Sequence, residues 1–182
     1  MPRFNRSFVT LAIVYAVLSL VSNISADTTG NYARSGSAAE TPRTKIAAGN
    51  HDFWELVESI HQGVNEFRHA QGLQPLRLNP IISAQARQHS LEMARTGSAL
   101  SHAGFDDRLK EIGEKLSYRA GAENVAASIG HENPARTVVE GWQTSPGHRK
   151  NMLGDFTLTG IGIAQSEQGS YFITQIFLKP LQ

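Results

Sequence analysis

The chain has 182 residues, a formal charge of +1 and no cysteine. That length suits one compact domain plus a tail, and 40% apolar with 18% charged residues excludes global disorder. Seventeen basic residues against 16 acidic ones leave no general field for gripping nucleic acid or anionic lipid. The missing cysteines exclude disulfides, thiolate metal sites, cysteine nucleophiles and lipid-anchor cysteines, and leave seven histidines as candidate site residues.

Arg3 and Arg6 form a basic start, and Phe8 to Val21 form an apolar run of 14 residues. That run suits a signal-peptide core and is shorter than the roughly 20 residues a membrane helix needs. Ile24 and Ala26 approximate the small-x-small cleavage rule, so residues 1–26 read as a signal peptide cut after Ala26. The competing reading is an uncleaved anchor. Cleavage would remove two arginines and no acid, turning the formal charge to −1. After cleavage the protein is not expected to be an integral membrane protein, and its destination is secreted: medium, periplasm or cell surface. Residues 27–50, rich in Thr, Gly, Ser and Ala, have too little apolar surface to order themselves and read as a flexible linker.

The domain spans 51–182. Asp52 is a candidate N-cap for a helix over 52–71, with Phe53, Leu56, Val57, Ile60, Val64 and Phe67 at helical spacing and Gly72 as the stop. Leu73 to Leu76 read as a turn. Asn79-Pro80 starts a second helix, with Ile82, Ala86, His89 and Met93 on one stripe, ending near Gly97. Phe105 to Ile112 form a short third helix, which Asp106, Asp107 and Arg108 open. A fourth follows Asn133-Pro134, runs through Val138, Val139 and Trp142, and ends at Ser145-Pro146. The period then changes. Ala122 to Ala127, Thr157 to Gln165 and Ser170 to Leu178 read as strands, with a hairpin turn at Ser166 to Gly169. Helices before a small antiparallel sheet indicate α+β.

Several segments match a known pattern in order and spacing. They are Ser101-His102-Ala103-Gly104-Phe105, Gly121-Ala122-Glu123-Asn124-Val125-Ala126, Gly141-Trp142, Ser145 to Leu153, Thr159 to Ala164 and Tyr171 to Gln175. Together they resemble the CAP superfamily of cysteine-rich secretory proteins, antigen 5 and pathogenesis-related 1 proteins, and most closely its cysteine-free bacterial SCP-domain branch. The resemblance covers about residues 53–179. It implies a three-layer α-β-α sandwich around a three-stranded antiparallel sheet. It also implies a cleft of two histidines and two acids that in some members holds a divalent metal such as zinc. His102 and His148 match the histidines and Glu123 matches the first acid. The second acid is expected three residues after the tryptophan, where this chain has Ser145.

Two imidazoles and one carboxylate, His102, Glu123 and His148, make a plausible shell for Zn²⁺ or another divalent first-row metal. Their separations of 21 and 25 residues form no compact metal motif, so the fold has to bring them together. The plainer readings are a loop anchor for His102, a structural ion pair or a bond to His148 for Glu123, and a helix-end or turn residue for His148. Asn124 and Trp142 read as structural, Ser145 as a poor nucleophile, and His89 as a satisfied core histidine. His51, His61, His69 and His131 read as ordinary polar residues. No catalytic residue is assigned. The favoured function is a binding module for a small-molecule, lipid or protein ligand at a cleft of His102, Glu123, Ser145 and His148. The alternatives are a metal-assisted, peptidase-like hydrolase with Glu123 as general base, or a structural or stress-related surface protein.

Overall fold

A computed structural model of the protein describes residues 53–97 and 99–181. The signal-peptide and linker segments, and the Asp52 cap, lie outside the described residues. The elements, in order, are α1 (Trp54–Ala70), β1 (Arg77–Leu78), α2 (Pro80–Thr96), α3 (Phe105–Gly113), β2 (Tyr118–Ser128), α4 (Pro134–Thr144), α5 (Pro146–Met152), β3 (Leu158–Gln165) and β4 (Tyr171–Pro180). No helix among the described residues is long and apolar enough to cross a membrane.

The helix signals act locally as read. The Asn79 side chain accepts from the Ile81 and Ile82 amides, Pro80 occupies the first turn, and Gly97 closes α2 in the left-handed region at φ 57°. Asn133 caps α4 through the Arg136 amide. Gly72 lies two residues beyond α1 with φ 73°.

The sheet has four strands in the order β1-β3-β4-β2, which corrects the expected three. β2, β4 and β3 are antiparallel, but β1 pairs parallel with β3, so the sheet is mixed. β1 escaped the sequence reading because two residues carry no period. Its pairing is set from outside, by Arg77 and Leu78 lying beside Leu158 and Thr159.

Side chains alternate across the sheet. Ile161, Ile163, Ile173 and Phe177 face α1, α4 and α5, where they meet Ile60, Val64, Val138, Val139, Trp142 and Met152. Ile176 and Leu178 face α2 and α3, against Ile82, Ala86, Leu109 and Ile112. This is a helix layer on each sheet face. Gly160 and Gly162 let α2 lie close on β3, since a Cβ at either would press into the α2 backbone at Ile82 and Ser83 or at Ala86 and Arg87. β2 is an outer strand, opposite β1, and the candidate residues gather at its edge.

Candidate functional site

Glu123 and Asn124 are neighbours on β2 and leave the strand in opposite directions. Glu123 meets Arg108 from α3, while Asn124 donates to the His148 carbonyl on α5 at 3.3 Å. Asn151 donates to the Glu123 carbonyl and to the Asn124 side chain, both at 3.0 Å, and the Trp142 indole donates to the Val125 carbonyl at 3.2 Å. Side chains of α4 and α5 thus cover carbonyls of β2 and fix α5, with His148, against the strand.

Arg108 grips the Glu123 carboxylate with two bonds, Nε to Oε2 at 3.0 Å and Nη2 to Oε1 at 2.8 Å. Its third nitrogen donates to the Ala103 carbonyl at 2.8 Å, which ties down the loop carrying His102. The two side chains are 9% and 1% exposed. A buried bidentate pair of this kind satisfies both charges, and removing one partner would strand the other.

His102 places Nδ1 3.0 Å from Glu123 Oε1. The carboxylate only accepts, so in the neutral ring the proton sits on Nδ1 and Nε2 presents a lone pair. That Nε2 is buried and has no hydrogen-bond partner, and the same is true of both ring nitrogens of His148. The two rings are neighbours, with centroids 6.4 Å apart, and Trp142 flanks His148 at 6.4 Å. Burial, and secondarily the neighbouring His102, lower the His148 pKa to about 4. At neutral pH it is an uncharged ring.

The fold therefore brings His102, Glu123 and His148 together in an ordered chain. Glu123 bonds His102 rather than His148, and both of its oxygens are engaged. Among the described residues no group of three or more His, Cys, Asp or Glu side chains is arranged to hold a metal. Ser145 sits at the α4–α5 junction, where its amide donates to Gly141 and its carbonyl accepts from Arg149, and its hydroxyl makes no capping bond. Sequence reasoning treated Arg108 as part of a helix opening and missed its role. The signal was present: Arg108 falls on the same face of α3 as Phe105, Leu109 and Ile112, and a charge on a buried stripe requires a partner. His89, expected as a satisfied core histidine, is buried but bonded through Nε2 alone, to the Ser101 carbonyl at 2.7 Å.

The family model described as CAP, the cysteine-rich secretory protein family, matches residues 61–177. The protein YkwD of Bacillus subtilis is 31% identical over 147 residues, which are 79% of this chain and 54% of that protein. The chain thus spans about half the length of the curated relative it matches. An extracellular protein of Bacillus anthracis containing an SCP domain is similar at 27% identity and a TM-score of 0.58, over 69% of this chain and 40% of that one. An outer surface protein of Borrelia burgdorferi shares the fold, at 18% identity and a TM-score of 0.62, over 71% of this chain and 96% of that one. With the family pattern matched over most of its described residues and no cysteine in its sequence, the chain belongs to the CAP family, on its cysteine-free bacterial side.

Proposed function

We propose that the protein is an exported CAP domain that works as a binding module, with the His102–His148 pair as its site and a divalent cation such as zinc as its ligand or cofactor. The observation that carries this reading is the set of three buried imidazole nitrogens without partners on two adjacent rings. Buried polar atoms are normally paired, so two adjacent imidazoles left bare suit a species that accepts lone pairs. Zinc would bind neutral imidazole, and the low pKa of His148 keeps that ring neutral. His102 Nε2 and one nitrogen of His148 would hold the metal. Glu123 does not fit as a third direct ligand, because Arg108 and His102 occupy it; it fits as the carboxylate that orients a ligating imidazole. Bound zinc would supply a Lewis-acid anchor for an oxygen- or nitrogen-bearing partner.

The expectation of export rests on the N-terminal pattern of Arg3, Arg6 and the run from Phe8 to Val21. The extracellular and outer-surface relatives agree with it. A hydrolase using Glu123 as general base is disfavoured, since both of its carboxylate oxygens are already engaged by Arg108 and His102.

Calorimetric titration of the chelator-treated full chain with Zn²⁺ tests the site. The His102→Ala/His148→Ala protein is expected to bind at least about ten-fold more weakly than wild type, with its circular dichroism unchanged. Equal binding by the two proteins would overturn the reading.

A further inference from the structure

A second polar site lies on the α2–α3 side of the domain. A groove of about 480 Å³ runs between these helices, lined by Gln88, His89, Glu92, Asp107, Arg108 and Glu111 among others. That volume suits a side chain with some flanking backbone. Its chemistry is one-sided. Glu92, Asp107 and Glu111 are exposed acids at its walls, and Arg108, the cation among its lining residues, is already neutralised by Glu123.

The floor adds an independent observation. His89 is 3% exposed, and its Nε2 lies 2.7 Å from the Ser101 carbonyl. A carbonyl only accepts, so Nε2 carries the proton and Nδ1 of the neutral ring is a bare acceptor. That Nδ1 is buried and unpartnered, and it points toward Glu92, whose Oε2 lies 3.9 Å away. An imidazole lone pair facing a carboxylate cannot satisfy it, because neither group donates. Burial, followed by the Arg108 charge, lowers the His89 pKa, which agrees with the neutral form. The missing partner is thus a positively charged N–H donor, able to bond Nδ1 and to pair with the acidic rim.

We propose that the α2–α3 groove is a binding site for a basic peptide side chain, a lysine ammonium or arginine guanidinium that donates to His89 Nδ1 and pairs with Glu92, flanked by Asp107 and Glu111. Arginine matches a lone pair and a carboxylate side by side through its fork of donors, whereas lysine meets them as a point charge.

The test uses the full chain and three capped tripeptides, acetyl-Gly-Arg-Gly-amide, acetyl-Gly-Lys-Gly-amide and the uncharged acetyl-Gly-norleucine-Gly-amide, followed by ¹⁵N NMR of the His89 ring and the α2 and α3 amides. A charged peptide is expected to move His89 Nδ1 and these amides, and the norleucine peptide to leave them in place. Glu92→Gln, on a solvent-exposed side chain, is expected to weaken binding about five-fold or more without altering the fold. Equal shifts with norleucine, equal binding by Glu92→Gln, or no shift with any peptide would overturn the proposal; the last result would leave the groove merely hydrated.

Discussion

At the residue scale, the site depends on how Glu123 is used. A carboxylate at 1% exposure needs compensation, and here it comes from Arg108 and His102 together. Glu123→Gln keeps the shape and removes the charge, leaving the Arg108 guanidinium buried without its counter-ion. Urea unfolding is expected to show a loss of about 3 kcal/mol, in the range for breaking a buried pair. The histidines add a pH dependence. An unfolded histidine titrates near 6.5, while folded His148 titrates at about 4. Between those values the unfolded chain binds the proton and the folded chain does not, so stability falls as pH drops from about 6.5 to about 4. His89, also lowered, acts in the same direction. The expected measurement is a series of urea midpoints across this window, with a shallower fall in His148→Gln than in wild type. The residue types and positions were legible in the sequence because the family motifs name them. The pairing was not, because Arg108 and Glu123 are 15 residues apart on different elements and meet only once α3 packs on β2.

At the element scale, legibility followed the strength of local chemistry. α2 could be read to its ends, because Asn79-Pro80 and Gly97 are self-contained signals. α5 could not, since seven residues make only about two turns, too short for a readable apolar stripe; His148 reads as a helix-end or turn residue, and it lies in the first turn of this short helix. That helix is held by Asn124 and Asn151 rather than by propensity, which is a tertiary fact. The glycines of β3 show the same limit. Thr159-Gly160-Ile161-Gly162-Ile163 reads as a strand, but the reason for its glycines is the α2 backbone lying against them. Gly162→Ala is expected to cost about 3 kcal/mol or more, because backbone rather than a flexible side chain must move. Thermal unfolding would check this, and a change below about 1 kcal/mol would contradict the packing described.

At the scale of the whole molecule, the absence of cysteine means that distant segments must be tied together without covalent staples. Part of the solution is Arg68. Its side chain, buried at the end of α1, donates to the carbonyls of Gln74, Met152, Gly154 and Phe156. One side chain ties the first helix to the α5–β3 connection more than 80 residues away. Arg68→Ala would leave several buried or half-buried carbonyls without donors. The expected loss is more than about 2 kcal/mol in urea unfolding, and lysine would restore only part of it. The α+β class was legible from the change of period along the chain, and the three layers from the family resemblance. The fourth strand and this long-range tie were not, since both are contacts between distant segments.

Glu123 serves as an orienting partner, while His102 and His148, on adjacent rings, keep bare nitrogens. Long-range ¹⁵N spectra of the histidine rings, recorded on the full chain before and after one equivalent of Zn²⁺, test this most directly. His102 Nδ1 is expected to stay protonated while His102 Nε2 and one nitrogen of His148 shift together on metal addition. Spectra in which neither ring responds, or in which His102 loses its Nδ1 proton and binds through that atom, would rule out this arrangement.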